Sequence, residues 1–319
     1  MLFYTFFILA FSTPLFLIAF SDTWWFNFII AVTLGSFYYE VGFRSRCRRK
    51  ELAVANKDLD IERKNMKLKE KPLKFDVYLT ALNDEIAISH SVLDFLANPH
   101  TNRVIVIDNN SSDDTRDNAI ACGAEVIVEE MRGYGRVVYR CLREGLSNGT
   151  EFFFICEGDG SFAASDMEKF IPYLGHASVI NGTRIQEQLR DQDTQLTSFI
   201  FFGNFLAAKL LELKHLGKGT ITDLGTTFKV IHRDSLKNSL ELFNPNVNLE
   251  FNAHFLDRCL RNNIRLVEVP ITFRKRIGAS KGGNTSNIKA LRVGLRMLLG
   301  IASNWQFERR KSIVVKEKA

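Results

Sequence analysis

From residue 75 onward, apolar runs of strand length alternate with amphipathic stretches of helix length, and this alternation constrains the fold more than any other feature. Strands that alternate with helices are typical of an α/β domain with a mostly parallel sheet. Apolar residues make up 46% of the chain, which is enough to bury a sizeable core. The predicted strands are 76–80, 103–107, 125–128, 151–156 and 177–180, and the predicted helices are 86–96, 112–122, 137–144 and 166–174.

Three polar turns follow predicted strands, and parallel α/β sheets bind their ligands at such turns. The turns cover 81–85, 108–115 and 157–161. The sequence contains no G-x-x-x-x-G-K-S/T, which excludes a Walker-type phosphate loop. Gly133 and Gly135 form too short a motif for a dinucleotide-binding fingerprint and do not directly follow a strand.

The turn at 157–161 gives the sharpest chemical signal. Glu157 and Asp159 flank a glycine at the end of an intensely apolar strand. Two oxygen ligands one residue apart suit a hard divalent cation such as Mg²⁺ or Mn²⁺. Such a cation would neutralise a diphosphate leaving group. An acidic turn that caps the next helix is the alternative interpretation.

Asp108 ends a predicted strand of Val and Ile residues. A carboxylate at this position could accept hydrogen bonds from a ribose or a base. An ordinary Asx turn leading into the next helix is the simpler interpretation of Asp108 taken alone, because Ser111, Ser112 and Asp113 are all good helix N-caps.

Residues 1–43 contain two almost wholly apolar stretches, 2–20 and 24–43, separated by a short polar break. Each stretch approaches the roughly 20 residues that span a bilayer. Basic residues crowd 44–50, and the positive-inside rule places that end in the cytoplasm. We therefore expect 1–43 to form a membrane helical hairpin with both ends inside; a signal peptide and a re-entrant hairpin are the alternatives. The charged stretch 44–74 is expected to form a helical stalk or a plain linker.

Charge and cysteine content narrow the class of protein. The net charge of +6 and the pI of about 9.0 suit an anionic partner and give no indication of nucleic acid. The five cysteines form no C-x-x-C pair, which favours free thiols in a reducing compartment over a disulfide scaffold or a zinc ribbon. The stretch 287–305 is apolar but carries three cations, so it predicts an amphipathic helix at a membrane interface or against the core.

An ordered series of motifs resembles those of the family 2 glycosyltransferases. The last two motifs are similar to those of the dolichyl- or polyprenyl-phosphate sugar synthases. The matches are T-A-L-N-D-E at 80–85 to P-x-L/Y-N-E-E, V-I-D-N-N-S-S-D-D-T at 106–115 to V-D-D-G-S-x-D-x-T, G-Y-G-R at 133–136 to G-x-G-x-A, E-G-D at 157–159 to D-x-D, N-G-T-R at 181–184 to G-S-R, T-D-L-G-T-T-F at 222–228 to T-D-x-x-S-G-F, L-V-E-V-P-I at 266–271 to V-E-V-P-I, and R-I-G-A-S-K at 276–281 to R-x-G-x-S-K.

This resemblance implies a GT-A fold, Rossmann-like with a mostly parallel sheet, over 75–285, followed by an amphipathic helix and basic tail at 286–319. It implies an inverting enzyme that moves a hexose from a UDP- or GDP-sugar to polyprenyl or dolichyl phosphate, with Mg²⁺ or Mn²⁺ on the diphosphate, and the apolar stretches at 1–43 would anchor this enzyme in the membrane. The donor-binding positions it implies are Thr80, Ala81, Leu82, Asn83, Glu85, Asp108, Gly133 and Gly135. The metal positions are Glu157, Asp159 and Ser161, and the acceptor positions are Arg184, Arg276, Ser280 and Lys281.

Among the positions where the chain departs from the family pattern are Thr80 for Pro, Asn109 for Asp, Glu157 for Asp and Arg136 for a small residue. Glu157 keeps a carboxylate, whereas Asn109 loses a charge and leaves the nucleotide base open. A hydroxyl on a lipid or glycan is the alternative acceptor; it would need a general base, for which Glu250 is the leading candidate. A catalytically inactive scaffold that binds a nucleotide sugar is the third hypothesis.

Overall fold

The computed structural model describes residues 73–278 and 287–306, together with four helical positions at 32, 35, 39 and 42. Apart from those positions, the hairpin predicted for 1–43 lies outside the described residues. The same holds for the stalk predicted for 44–74, except for its last two residues. None of the helices in the described part of the chain combines the length and the apolar character needed to span a bilayer.

The described strands form a seven-stranded sheet in the order β3-β2-β1-β4-β6-β5-β7. Neighbouring strands run parallel, except that β6 is antiparallel to both β4 and β5. The predicted α/β fold with a mostly parallel sheet is therefore confirmed. The strands are β1 (Phe75–Ala81), β2 (Thr101–Asp108), β3 (Glu125–Val128), β4 (Phe152–Glu157), β5 (Val179–Thr183), β6 (Lys229–His232) and β7 (Leu266–Pro270).

Helices cover the sheet. The described helices are α1 (Ile88–Ala97), α2 (Thr115–Ala121), α3 (Tyr134–Asn148), α4 (Met167–Phe170), α5 (Ser198–Lys214), α6 (Arg233–Leu236), α7 (Phe251–Arg261) and α8 (Asn287–Ser303). The first four match predicted helices, although α4 is shorter than predicted because 3₁₀ turns flank it. The helix predicted for 287–305 is confirmed as α8, whereas α5, α6 and α7 were not predicted.

The core lies on both faces of the sheet. Because successive side chains of a strand point to opposite faces, β4 sends Phe153 and Ile155 to one core and Phe152 and Phe154 to the other. The first core also includes side chains of α3, α5, α7 and α8, and the second includes side chains of α1 and α4. Burial on both faces explains the continuous apolar run that predicted β4.

Candidate active site

A cavity of about 660 Å³ lies at the carboxyl ends of β1 and β4. The parallel pairing of these strands places Thr80 beside Glu157. Most of the donor and metal positions expected from the sequence meet at this cavity. The predicted site residues that line it are Thr80, Ala81, Leu82, Gly133, Glu157, Asp159, Ser161, Arg184 and Arg276.

Asp159 lies in a tight turn directly after β4. Its Oδ1 accepts a hydrogen bond from the Ser161 N–H at 2.9 Å, and its backbone carbonyl accepts one from the Ile277 N–H at 3.0 Å. Gly160 takes a φ of +80°, a left-handed conformation that favours glycine. The sequence after β4 thus bends sharply enough to hold the Asp159 carboxylate at the cavity wall.

Arg276 contacts two carboxylates at the cavity. Its guanidinium nitrogens lie 3.1 Å from Asp159 Oδ2 and 2.6 Å from Asp84 Oδ1. Burial alone would lower the pKa of Arg276, but Asp159 and Asp84 raise it above its ordinary value. Arg276 was predicted to hold the acceptor phosphate, and the structure places it directly against the carboxylate predicted to hold the metal.

Glu157 is the second carboxylate of the turn. Its Oε1 accepts a hydrogen bond from Thr227 Oγ1 at 2.6 Å and another from the Tyr134 hydroxyl at 3.3 Å. Burial, reinforced by the nearby charge of Asp159, raises the pKa of Glu157 to about 7. A cation beside both carboxylates would favour their ionised forms.

The donor set at the turn fits a divalent cation that shares its ligands with a substrate. Within the described ranges there is no group of three or more His, Cys, Asp and Glu side chains that could hold a metal ion. Glu157 and Asp159 supply two carboxylates, and the buried Ser161 hydroxyl has no hydrogen-bond partner in the part of the chain that the structure describes. Mg²⁺ commonly binds through one or two carboxylates plus substrate phosphates, so these three residues suit a cation completed by a diphosphate.

Arg184 lines the cavity, but its guanidinium is bound by an acidic partner. Nε and Nη2 donate to the two carboxylate oxygens of Asp223 at 2.7 and 2.8 Å, and the guanidinium carbon lies 4.9 Å from the centre of the Phe273 ring. Burial opposes ionisation of Asp223, but Arg184 and the surrounding donors lower its pKa to about 2. The role of Arg184 in binding acceptor phosphate stays a prediction, and the structure adds that two of its N–H donors are engaged by Asp223.

Asp108 does not line the cavity, contrary to the expectation that it contacts the nucleoside. Its carboxylate is fully buried, and Oδ2 accepts hydrogen bonds from Arg116 Nε at 2.8 Å and the Ser111 N–H at 3.0 Å. The structure thus favours the local-turn interpretation. The neighbouring Asn109 lines the cavity instead, and its Oδ1 accepts the Gly133 N–H at 2.8 Å.

Asn83 and Glu85 are also absent from the cavity lining. Asn83 Oδ1 accepts the Ser112 N–H at 2.8 Å, and Glu85 Oε2 accepts the Asp114 N–H at 3.3 Å. These two predicted donor-binding residues therefore tie the turn after β1 to the turn after β2. Their side chains position the site rather than form its wall.

Gly135 and Glu250 have structural partners away from the cavity lining. A Cβ at Gly135 would lie 1.6 Å from the Val247 carbonyl oxygen, so this glycine permits close packing of α3. Glu250 is buried at the start of α7 and pairs with Arg296 of α8 at 2.9 Å. The expectation that Glu250 could act as a base is not favoured by this placement. Ser280 and Lys281 lie outside the described residues.

Several lining residues were not among the predicted site positions. Asp84, Asn109 and Tyr134 lie inside motifs quoted above, so attention to every residue of those motifs would have found them. Asn252 on α7 and Asn204 on α5 lie in segments without any recognised motif.

Two helices give the cavity an apolar wall. Several apolar residues on this wall are also exposed at the surface. The exposed cations Lys289 and Arg292 lie on α8, which forms part of the wall. The lining residues of α5 include Phe199, Ile200, Leu206 and Ala207, and those of α8 include Leu291, Val293, Leu295, Met297 and Leu298. The large exposed apolar residues of these helices are Phe199, Phe202, Leu206, Ile288, Leu291, Leu295 and Leu299.

Solved structures of glucosyl-3-phosphoglycerate synthase from Mycobacterium tuberculosis resemble this fold. One, in complex with Mn²⁺, UDP-glucose and phosphoglyceric acid, gives a TM-score of 0.52 at 17% identity and covers 72% of this chain and 80% of that one. A second, in complex with phosphoglyceric acid, gives a TM-score of 0.51 at 18% identity with the same coverage. This likeness shows a GT-A-type fold.

Sequence relatives name the family. An uncharacterized glycosyltransferase of Mycobacterium tuberculosis is 37% identical over 109 residues, which are 34% of this chain and 47% of the relative. Glycosyltransferase AglJ of Haloferax volcanii is 25% identical over 193 residues, which are 60% of this chain and 59% of AglJ. The chain thus spans about half the length of these relatives. The family model described as Glycosyl transferase family 2 matches residues 76–240, and the chain belongs to that family.

Proposed function

We propose that this family 2 glycosyltransferase moves a hexose from a UDP- or GDP-sugar to polyprenyl or dolichyl phosphate, with inversion at the anomeric carbon. One observation carries the proposal: a single cavity joins two carboxylates, the partly buried Glu157 and the buried Asp159, to an apolar wall made by α5 and α8. The carboxylate end suits a metal-bound diphosphate, and the apolar end suits a lipid.

The donor would bind at the carboxylate end. Glu157, Asp159 and Ser161 would hold Mg²⁺ or Mn²⁺, which neutralises the diphosphate leaving group. The chain from Thr80 to Leu82 would contact the nucleoside, as the sequence predicted. Arg276 lies beside Asp159 and is therefore well placed to bind phosphate oxygens at the junction of donor and acceptor.

The acceptor phosphate would bind beside the donor, with its lipid chain along the apolar wall. A phosphate oxygen is already ionised at neutral pH and attacks without giving up a proton, whereas a hydroxyl must lose one to a positioned base. Glu250, the predicted base for a hydroxyl, is paired with Arg296 and is absent from the cavity lining. This placement supports a phosphate acceptor over a hydroxyl acceptor.

We also propose that residues 1–43 anchor the chain in a membrane and that the catalytic domain lies on the cytoplasmic face. The support is the pair of apolar stretches followed by the basic residues at 44–50. A Lys57→Cys variant in the proposed stalk should resist an impermeant thiol reagent added to intact cells. Ready labelling at position 57 from outside would contradict this orientation.

A donor panel tests the proposed activity. Membranes containing the chain are incubated with a series of UDP- and GDP-sugars, with and without polyprenyl phosphate, and the lipid fraction is treated with mild acid. We expect one nucleotide sugar to give an acid-labile glycolipid that forms only with polyprenyl phosphate and a divalent cation. An acid-stable glycoside would indicate a hydroxyl acceptor, and the absence of any turnover would favour the inactive scaffold.

A further inference from the structure

A run of polar side chains extends from the carboxylate end of the cavity into the protein, and its members Tyr134 and Asn252 also line the cavity. It begins at a lysine on β6, passes through side chains of α7, α3 and the segment before β6, and ends at Glu157. Its members are Lys229, Asn252, Tyr134 and Thr227, which we call the hydroxyl relay. The predicted roles of the cavity residues did not include any of the four.

Three hydrogen-bond acceptors hold the ammonium group of Lys229 at one end of the hydroxyl relay. Lys229 Nζ donates to the backbone carbonyls of Thr226 at 2.8 Å and Thr227 at 3.2 Å, and to Asn252 Oδ1 at 3.0 Å. The side chain is fully buried, and burial lowers the pKa of Lys229 to about 7. These three acceptors hold Nζ against the amide of Asn252.

A backbone carbonyl fixes the amide of Asn252 independently of the charge on Lys229. Asn252 Nδ2 lies 3.2 Å from the Gly225 carbonyl, which can only accept a hydrogen bond. The amide nitrogen must therefore face this side, and the amide oxygen must face Lys229. The same Nδ2 donates to the Tyr134 hydroxyl oxygen at 2.7 Å.

Hydrogen-bond direction then runs one way toward Glu157. Because the Tyr134 oxygen accepts from Asn252, its hydrogen is directed to Thr227 Oγ1, with which it makes a very short contact, or to Glu157. Thr227 in turn donates to Glu157 Oε1 at 2.6 Å. Successive donors of this kind polarise and strengthen one another.

The hydroxyl relay contacts one of the two carboxylate oxygens. Thr227 donates to Glu157 Oε1 at 2.6 Å and the Tyr134 hydroxyl lies 3.3 Å from the same oxygen, whereas Oε2 has no hydrogen-bond partner among the described residues. Thr227 and Glu157 are also both departures from the patterns quoted above, T-D-x-x-S-G-F and D-x-D. Glu157 stands where the pattern has aspartate, Thr227 stands where it has glycine, and these two side chains contact each other.

We propose that the hydroxyl relay positions Glu157 as a one-oxygen ligand for a divalent cation, holding Oε1 in the wall so that Oε2 meets the metal. The inference rests on the proposed metal site and adds a function for four residues that do not themselves touch the cation. Residues behind a metal ligand typically change metal affinity about 10- to 100-fold when they are removed.

Binding of Mn²⁺ alone to the full chain in detergent tests the hydroxyl relay without turnover. The loss of the free-ion electron paramagnetic resonance signal measures this binding. Thr227→Val removes the hydroxyl and keeps the shape, whereas Thr227→Ser keeps the hydroxyl. We expect Thr227→Val to raise the Kd for Mn²⁺ about 10-fold or more and Thr227→Ser to bind nearly as the wild type does. Equal affinity of Thr227→Val and the wild type would overturn the proposal.

Lys229→Met separates positioning from simple electrostatics. Removing a nearby positive charge can only leave Mn²⁺ affinity unchanged or increase it, whereas loss of the hydroxyl relay should decrease it. We expect Lys229→Met to bind Mn²⁺ more weakly than the wild type does. The Thr227→Val/Lys229→Met double variant should bind Mn²⁺ no more weakly than the weaker-binding single variant, since both changes act through Glu157 Oε1. Tighter binding by folded Lys229→Met would overturn the relay; if that variant fails to fold, the Thr227 pair still decides.

Asp159→Asn distinguishes failure of the relay from failure of the metal site. If Asp159→Asn loses Mn²⁺ while Thr227→Val and Lys229→Met bind it normally, the metal site stands and the relay is wrong. If Asp159→Asn binds Mn²⁺ as the wild type does, the metal assignment fails and the relay fails with it.

Discussion

Asp159 is the side chain on which turnover should depend most directly, because its buried carboxylate lines the end of the cavity proposed to bind the diphosphate. We expect Asp159→Asn to lower kcat at least about 100-fold while the fold is kept, since a neutral amide is a poor metal ligand. Asp234→Asn, at an exposed position on α6, is the matched control. Initial rates and thermal unfolding of both variants check this; normal turnover of Asp159→Asn, or of the wild type in excess chelator, would count against the metal.

Glu250 and Arg276 should respond differently to substitution. Arg276→Ala should raise the apparent KM for polyprenyl phosphate by about 10- to 150-fold, which is the effect of losing one charge-assisted phosphate contact. Glu250→Gln should change kcat little, because the side chain pairs with Arg296 and an ionised phosphate needs no base. Steady-state kinetics against both substrates measure this. A dead Glu250→Gln beside a nearly normal Arg276→Ala would indicate a hydroxyl acceptor.

Single residues of the site were predictable only in part. Motif spacing located Glu157 and Asp159, because both follow one strand and need no knowledge of the fold. It could not show that Arg184 is bound to Asp223, which lies 39 positions along the chain, or that Asp108 turns inward to Arg116. Pairing of this kind depends on tertiary packing, which residue types in a motif do not specify.

At the scale of elements, the apolar faces of α5 and α8 should serve the lipid part of the acceptor. Leu291 lines the cavity and is half exposed, so Leu291→Glu places a charge on this wall. We expect the KM for a long polyprenyl phosphate to rise about 10-fold or more, since burying an unpaired carboxylate is costly. Ile120→Glu, at an exposed position on α2 away from the cavity lining, is the control. Equal effects of the two changes on long-chain acceptor kinetics would argue against a lipid-binding wall.

A buried acidic group ties α5, α7 and the residues after α8 together. Asp257 on α7 accepts hydrogen bonds from Lys214 Nζ at 2.9 Å, His215 Nε2 at 2.6 Å and Trp305 Nε1 at 2.8 Å. We expect Asp257→Asn to lower the free energy of unfolding by about 3 kcal/mol, because it leaves Lys214 buried without its counter-charge. Chemical unfolding in detergent measures this, with the exposed Asp117→Asn as control.

The sign of the pH dependence follows from the pKa of Asp257. Burial opposes ionisation, but His215 and Lys214 lower the pKa to about 2. A depressed carboxyl pKa stabilises the fold above the unfolded value of about 3.9 and loses that effect as the pH falls toward the folded value. The difference in stability between wild type and Asp257→Asn should therefore shrink between about pH 4 and pH 2. A difference that grows with acidity would contradict this assignment.

Strands and helices were predictable from the sequence where the pattern of apolar residues was clear. The strands β1 to β5 were predicted because they read as short apolar runs of strand length, including β3, which is only partly buried. In contrast, α5 carries apolar residues around most of its circumference, so it shows no clear helical periodicity. β6 begins with the buried Lys229, which is held by the adjacent carbonyls of Thr226 and Thr227 and by the distant Asn252, and a lysine does not mark a buried strand in a sequence.

At the scale of the whole molecule, the ordered series of motifs predicted the family, and the motifs after β1 and β4 meet at the cavity because these two strands are parallel neighbours. The predicted division into a GT-A domain at 75–285 and a following amphipathic helix also rests on where the motifs end along the chain. The polyprenyl phosphate acceptor implied by the last two motifs stays a proposal, and the apolar wall proposed to bind it was not predicted, because α5 and α8 form that wall from distant parts of the chain. The membrane anchor at 1–43 stays a prediction from the sequence.

The central claim is that the acceptor is a lipid phosphate, and a matched pair of acceptors tests it most directly. The purified chain is given its nucleotide sugar, a divalent cation, and either polyprenyl phosphate or the polyprenol of the same chain length, and sugar transfer to each lipid is measured. We predict transfer to polyprenyl phosphate at least about 10-fold faster than to polyprenol, since only the phosphate offers an ionised nucleophile and a partner for Arg276. Transfer to polyprenol at an equal or greater rate would contradict the account.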